Sequence, residues 1–387
     1  MSPYHFKTAG NIIGGRNSIR SLTENLRLIG AEISSALIVT QPPIRGQDFF
    51  TRLLEDLRGK GVSVDIEMDI PPEPTAHNVN DIFSRVQSKS YDVIIGIGGG
   101  SVLDTAKVIS VLKTNNRGIE ELFGTDLVEK PGIPLILIPT TAGTGSEVTP
   151  NAIVSVPEKK LKIGIVSRFM LPCMVIIDPL LTLALPKPVT ASTGMDAFTH
   201  SLESFISNKA NPISDMFAME SIRLISSNIV EAYENGASID ARENMLLGAL
   251  YGGMALTTAG TAAVHALAYP LGGKFNVPHG IANSMLLPHV MRFNKDAIAG
   301  RLSMLARPMG MNPKETSGES SSADLVIERI SSLVDILGIP RSLSAYGIEE
   351  RHLDDLSSSA LEVKRLLDNN PKQLNFQDIK SIYRGLL

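Results

Sequence analysis

A parallel-sheet α/β domain followed by an all-helical domain is the fold that the sequence predicts, on three observations. The chain has 387 residues, too many for one ordinary hydrophobic core, so two domains are expected. Its first half alternates short β-branched apolar runs with amphipathic stretches. After about Pro188 those runs stop and long helical periodicities replace them, which places the domains at residues 1–187 and 188–387.

The elements follow in order. Ala36-Leu37-Ile38-Val39-Thr40 reads as a buried strand and Phe50 to Lys60 as a helix. Val62 to Ile66 is the next strand and Val79 to Ser88 the next helix. Tyr91 to Ile97 (YDVIIGI) ends in glycines and feeds a helix from Ser101 to Lys113; Ile133 to Pro139 (IPLILIP) is a further strand. Continuous apolar runs bounded by turns suit strands covered on both faces, as in a helix-flanked parallel sheet. In the second half, Gly194–Asn208, Pro212–Asn235, Ser238–Ala259 and Ala323–Leu337 keep helical spacing. The polar stretch Asn312–Ser322 is expected to be an exposed loop.

A composition of 43% hydrophobic and 20% charged residues is that of a globular protein with a sizeable interior. The net charge of −4, without a Lys/Arg-rich run, argues against a nucleic-acid partner. Cys173 is the single cysteine, so no disulfide framework is possible and a reducing compartment fits. The first residues lack a basic stretch followed by an apolar one, and no run approaches the roughly 18 apolar residues of a membrane span. A cytoplasmic protein without membrane association is expected.

Two loops carry the first chemical signal. Gly98-Gly99-Gly100-Ser101 lies between a strand and a helix, where glycines admit a pyrophosphate close to backbone N–H groups and a helix N-terminus adds positive potential. Ser101 suits either a phosphate contact or an ordinary helix cap. The second loop, Pro139-Thr140-Thr141-Ala142-Gly143-Thr144-Gly145-Ser146-Glu147, sets hydroxyls beside flexible backbone. Neither is the spaced-glycine dinucleotide fingerprint, but two such loops after consecutive strands favour nucleotide binding over plain turns.

The second signal is in the C-terminal half. Asp196 and His200 stand at i, i+4 on one helix face, and His265 and His279 occur further on. One carboxylate and three imidazoles suit a divalent ion such as Fe²⁺ or Zn²⁺ with a position left for a substrate oxygen. The residues alone equally allow a capping pair at Asp196/His200 and a core histidine at His265. His5, His77, His289 and His352 have no sequence partner and read as structural or surface groups, with His289 nearest to the set.

Together these segments resemble the iron-containing (group III) alcohol dehydrogenase family over nearly the whole chain. The matches are GGGSVLDTAK at Gly98–Lys107, PTTAGTGSEVT at Pro139–Thr149, GMDAFTHSLE at Gly194–Glu203, and HALAYPLGG with VPHGIAN between His265 and Asn283. The resemblance implies the architecture shared with dehydroquinate synthase-like proteins: a dinucleotide-binding α/β domain, a helical metal-binding domain, and a catalytic cleft between them. It implies that Asp196, His200, His265 and His279 bind the metal. It assigns Gly98, Gly99, Gly100, Ser101, Asp104, Thr140, Thr141, Thr144, Ser146, Asn151, Lys162 and Leu181 to NAD or NADP, and suggests a homodimer or larger assembly.

Four departures from the family pattern bear on function. Tyr269 stands where many members have a proton-relaying histidine; with an ordinary pKa near 10 a phenol is a poorer base, leaving water or cofactor ribose hydroxyls to carry the proton. Gln41 stands where NAD-preferring members often have an aspartate, which removes a repulsion against the 2′-phosphate of NADP. Leu256 replaces a common aromatic residue near the substrate, and Glu73 a common asparagine at the cofactor mouth. The expected activity is hydride transfer between NAD(P) and a small alcohol or aldehyde, the metal polarising the substrate oxygen. The alternatives are a dehydroquinate synthase-like lyase, which would favour a Glu/His/His set, and an inactive nucleotide binder.

Overall fold

In the computed structural model, residues 3–30, 32–159, 161–312 and 318–387 are described. The chain divides into an α/β unit, Thr8–Thr141 with Ser146–Leu183, and a helical unit, Met1–Lys7, Ala142–Gly145 and Ala184–Leu387.

The α/β unit is built on a six-stranded sheet of parallel pairs in the order β1-β9-β6-β4-β2-β3. Here β1 is Asn11–Gly14, β2 Ser35–Val39, β3 Ser63–Glu67, β4 Val93–Gly98, β6 Leu135–Pro139 and β9 Met174–Ile177. Every residue of β4 and β6 is buried, as a central strand covered on both faces requires. Three longer helices accompany it: α1 (Asp48–Gly59), α2 (Ala76–Val86) and α3 (Gly100–Leu112). The chain leaves β2 for β3 on one side, then crosses back to β4 on the other. That reversal opens a crevice at the carboxyl ends of β2 and β4, the place where open α/β sheets take their ligands.

Two features were not foreseen. Strands β1 and β9 have only four residues each, too short to stand out as apolar runs. A second sheet, in the order β5-β8-β7, comprises Gly124–Thr125, Leu161–Val166 and Asn151–Val156. In β7 burial alternates residue by residue, so one face is buried and the other only partly so.

The helical unit contains α4 (Lys187–Ile206), α5 (Pro212–Glu234), α6 (Ile239–Ala259), α7 (Ala263–Phe275), α8 (His279–Met304), α9 (Glu319–Ile336), α10 (Leu353–Leu361) and α11 (Phe376–Arg384). Helix α4 packs against α5, α6 and α8 and is buried on every face from Gly194 to Ile206. The expected loop at Asn312–Ser322 needs correction. Residues 313–317 lie outside the described residues, whereas Glu319–Ser322 form the first turn of α9, where Glu319 complements the helix dipole and Ser322 is buried.

Candidate metal centre and cofactor loops

A helix buried on every face must satisfy each polar group it carries. On α4, Thr199 and Ser201 donate to carbonyls one turn back, and Ser204 donates to the Gly260 carbonyl. Asp196, His200 and Glu203 remain, and these turn to side chains and backbone groups elsewhere in the helical unit. His265 comes from α7, and His279 is the first residue of α8, just after Pro278.

Asp196 Oδ1 lies 3.8 Å from His265 Nε2 and 3.7 Å from His279 Nε2. Among the described residues, Asp196, His265 and His279 form a group whose ligand atoms all lie within 4.8 Å of one another. Two donors about 2.1 Å from one ion at a tetrahedral angle stand about 3.4 Å apart, so little contraction would close this set on a metal. His200 stands outside the three-membered group, its ring stacked on that of His265 with centroids 4.7 Å apart. Its Nδ1 is buried without a hydrogen-bond partner. Burial lowers the His200 pKa despite Asp196 nearby, which keeps a lone pair for coordination. Burial would raise the Asp196 carboxyl, but His200, His279, His265 and an Asn283 hydrogen bond outweigh it and hold the group below the usual carboxylate range.

Asn283 and Glu203 were not singled out in the sequence, although each ends a segment that carries the resemblance. Asn283, one turn after His279, donates from Nδ2 to Asp196 Oδ1 at 2.7 Å. The same nitrogen is 3.1 Å from His265 Nε2 and 3.2 Å from His279 Nε2. An amide N–H group thus lies where three electron-pair donors converge, the arrangement a cation would favour. Glu203 is fully buried; one oxygen accepts from the Val264 N–H at 2.6 Å and the other is 2.6 Å from His265 Nδ1. Its helical spacing from Asp196 (i+7) was the available clue. Tyr269 is buried, its ring 6.2 Å from that of His279. Leu256 is buried on α6.

In the α/β unit, Gln41, Gly98 and Thr140 follow or end β2, β4 and β6, at the carboxyl edge of the sheet. The Thr140 N–H donates to the Gly98 carbonyl, which ties the second loop to the first. Gly98 lies so close to the following helix that a Cβ there would fall 2.7 Å from Val102 Cβ. Gly99, not Ser101, takes the N-cap position of α3, with no side-chain cap, so the capping role open to Ser101 is not the one it has. Ser101 Oγ instead accepts from the Glu73 N–H. Gly100 opens the helix and Thr141 packs on Gly99. Thr144 belongs to the short stretch grouped with the helical unit, beside Gly145, whose φ of +60° and approach to Gly253 require glycine.

Asp104 and Ser146 act first on each other. Asp104 accepts from Ser146 Oγ at 2.5 Å and from the Ile153 N–H at 2.9 Å, which braces the second loop from α3. Lys107 extends the brace by donating to the Thr149 and Asn151 carbonyls. Burial lowers the Lys107 pKa to about 8 and raises that of neighbouring Glu147 to about 7. Lys162, in β8, pairs with Glu73 at 2.8 Å. Leu181 follows β9 and lines a cavity of about 520 Å³ with Arg20, Gln47, Phe49 and Arg52.

Three of the remaining histidines make other contacts: His77 pairs with Asp81 on the surface, His352 accepts from the Glu349 N–H, and His289 lines a separate cavity with Arg292 and Arg341.

Residues 9–179 match the iron-containing alcohol dehydrogenase family and residues 190–387 match the C-terminal part of the Fe-containing alcohol dehydrogenase family. The chain belongs to the iron-containing alcohol dehydrogenase family. It is 37% identical to long-chain-alcohol dehydrogenase 1 of Geobacillus thermodenitrificans, over 96% of this chain and 93% of that one. A crystal structure of 1,3-propanediol oxidoreductase superposes with a TM-score of 0.95 at 35% identity, covering 100% of both chains. The sulfoacetaldehyde reductase of Bifidobacterium kashiwanohense, solved in complex with NAD⁺, has a TM-score of 0.87 at 27% identity, over 100% of this chain and 99% of that one. This iron-containing alcohol dehydrogenase is therefore a metal-dependent, NAD-linked alcohol oxidoreductase, and the lyase alternative is not favoured. Among its described residues no helix is long and apolar enough to cross a membrane.

Proposed function

We propose that Asp196, His200, His265 and His279 hold one divalent metal, Fe²⁺ by preference and Zn²⁺ as the alternative, for reversible oxidation of a small primary alcohol by NAD or NADP. The supporting observation is the convergence of Asp196 Oδ1, His265 Nε2 and His279 Nε2, with the His200 ring and its unpartnered Nδ1 beside them. When bound, the metal supplies Lewis acidity to the substrate oxygen. Asp196 contributes the single negative charge of the ligand set, so an ion with three neutral imidazoles keeps net positive charge. Tyr269, buried with its ring 6.2 Å from that of His279, helps to keep bulk water from this polar cluster. The Tyr269 hydroxyl orients groups by hydrogen bonding, and protons leave through water or ribose hydroxyls.

Cofactor phosphates lie on Gly98–Ser101, with Thr140 and Thr141 alongside and Thr144, Ser146, Asn151, Lys162 and Leu181 completing the site. The uncapped N-terminus of α3 supplies N–H donors for the anion. Asp104 serves through Ser146, holding the second loop. Gln41, neutral at the end of β2, accepts NADP as well as NAD. The enzyme works in the cytoplasm as a homodimer or larger homo-oligomer, with residues 1–187 as cofactor domain and 188–387 as metal domain.

Metal content and turnover of His265→Ala and Asp196→Ala test the assignment together. Both variants are expected to lose bound metal and at least about a hundredfold in kcat/KM. Full metal content with normal turnover in either would overturn it.

A further inference from the structure

Helix α7 begins at Ala263 without a side-chain cap from its own N-cap residue, Ala262. Glu203, reaching over from α4, takes that place. One carboxylate oxygen accepts from the Val264 N–H and the other faces His265 Nδ1, both at 2.6 Å, with the side chain fully buried. A carboxylate offers only acceptors, so the imidazole must present Nδ1–H to it. The opposite ring nitrogen, Nε2, then carries a lone pair.

A separate contact at the far side of the ring suits the same tautomer. Asn283 Nδ2 lies 3.1 Å from His265 Nε2 and 2.7 Å from Asp196 Oδ1. The carboxylate oxygen decides which end of the amide faces inward: turned over, the amide oxygen would meet Asp196 Oδ1 without a proton between them. The inward group is therefore NH₂, whose two hydrogens face Asp196 Oδ1, His265 Nε2 and His279 Nε2, and an Nε2 without a proton is the form of His265 that suits it.

We infer that Glu203 is a positioning residue that locks His265 in the Nδ1–H tautomer, presenting the Nε2 lone pair to the metal site before any ion arrives. This rests on the proposed metal-ligand set. Glu203 touches the ligand and not the ion, so its effect passes through ring orientation, tautomer and basicity. In Glu203→Gln one acceptor becomes a donor. If the remaining oxygen keeps the Val264 N–H, the amide NH₂ faces His265 Nδ1 and drives the proton to Nε2, where the metal must displace it.

The test uses full-length protein stripped of metal and labelled with ¹⁵N-histidine, with Co²⁺ and Zn²⁺ as probes. Long-range ¹H–¹⁵N correlations in the metal-free wild type, assigned with His265→Ala, are expected to show His265 protonated on Nδ1; a proton on Nε2 overturns the inference without needing any Glu203 variant. Glu203→Gln is expected to move that proton to Nε2 and weaken Co²⁺ and Zn²⁺ binding 10- to 100-fold. A wild type that binds metal, with Glu203→Gln binding equally tightly, overturns the inference alone. A folded wild type that binds neither ion overturns the metal-ligand set itself, and the inference with it.

Discussion

Buried charge is tolerated when it is paired or used, and single residues here do both. Asp196 is stabilised as a carboxylate by three histidines and an amide, whereas Glu147 lacks comparable support and burial raises its pKa from 4.5 to about 7. The sign of the resulting pH effect follows from linkage. With a raised folded pKa, Glu147 leaves stability intact below about pH 4.5 and removes it as pH rises through about 7. Glu147→Gln is therefore expected to match wild type near pH 4.5 and to gain about 3 kcal/mol on it by pH 8, measured by urea unfolding across that range. The Glu147 charge raises the Lys107 pKa, so part of the difference is read through Lys107. A stability difference that stays constant with pH would show that Glu147 is ionised at no cost.

At the scale of elements, two substitutions separate folding from function. Asn211 caps α5 through the Ile213 and Ser214 N–H groups, so Asn211→Ala is expected to cost about 1 kcal/mol in chemical denaturation while cofactor affinity stays unchanged. Gly98→Ala sets a Cβ against Val102 and shifts the N-terminus of α3, so NADH affinity, measured by fluorescence titration, is expected to fall at least tenfold. Equal NADH affinity in Gly98→Ala and wild type would detach the glycine loop from the phosphates. What was legible in the sequence follows burial. Strands β2, β4 and β6 appeared as continuous apolar runs, and β3 by its alternating Val62, Val64 and Ile66. Strands β1 and β9 were too short, and the small sheet, with one face only partly buried, had no long apolar run. Helices α7 and α8 were not delineated because Pro270 and Pro288 lie inside them, where a sequence reading expects breaks. The candidate ligands stood out by residue type. Glu203 and Asn283 did not, because their partners are set by how α4, α7 and α8 pack together.

For the whole molecule, the proposed ligand set would tie three helices of one unit to a single ion, which would make metal binding a stability term as well. Free metal at about 100 times its Kd is expected to add about 2.7 kcal/mol to the unfolding free energy of that unit. Calorimetry before and after chelation checks this, and no change in its transition would mean that the ion binds elsewhere or not at all. The central claim is metal-dependent hydride transfer, and one assay reaches it directly. Anaerobically purified protein is given NADH or NADPH with a panel of small aldehydes, before chelation, after chelation, and after addition of Fe²⁺ or Zn²⁺. Cofactor oxidation that disappears on chelation and returns with one metal is the predicted result. Folded protein that oxidises neither cofactor with any aldehyde, whatever the metal, would contradict the account.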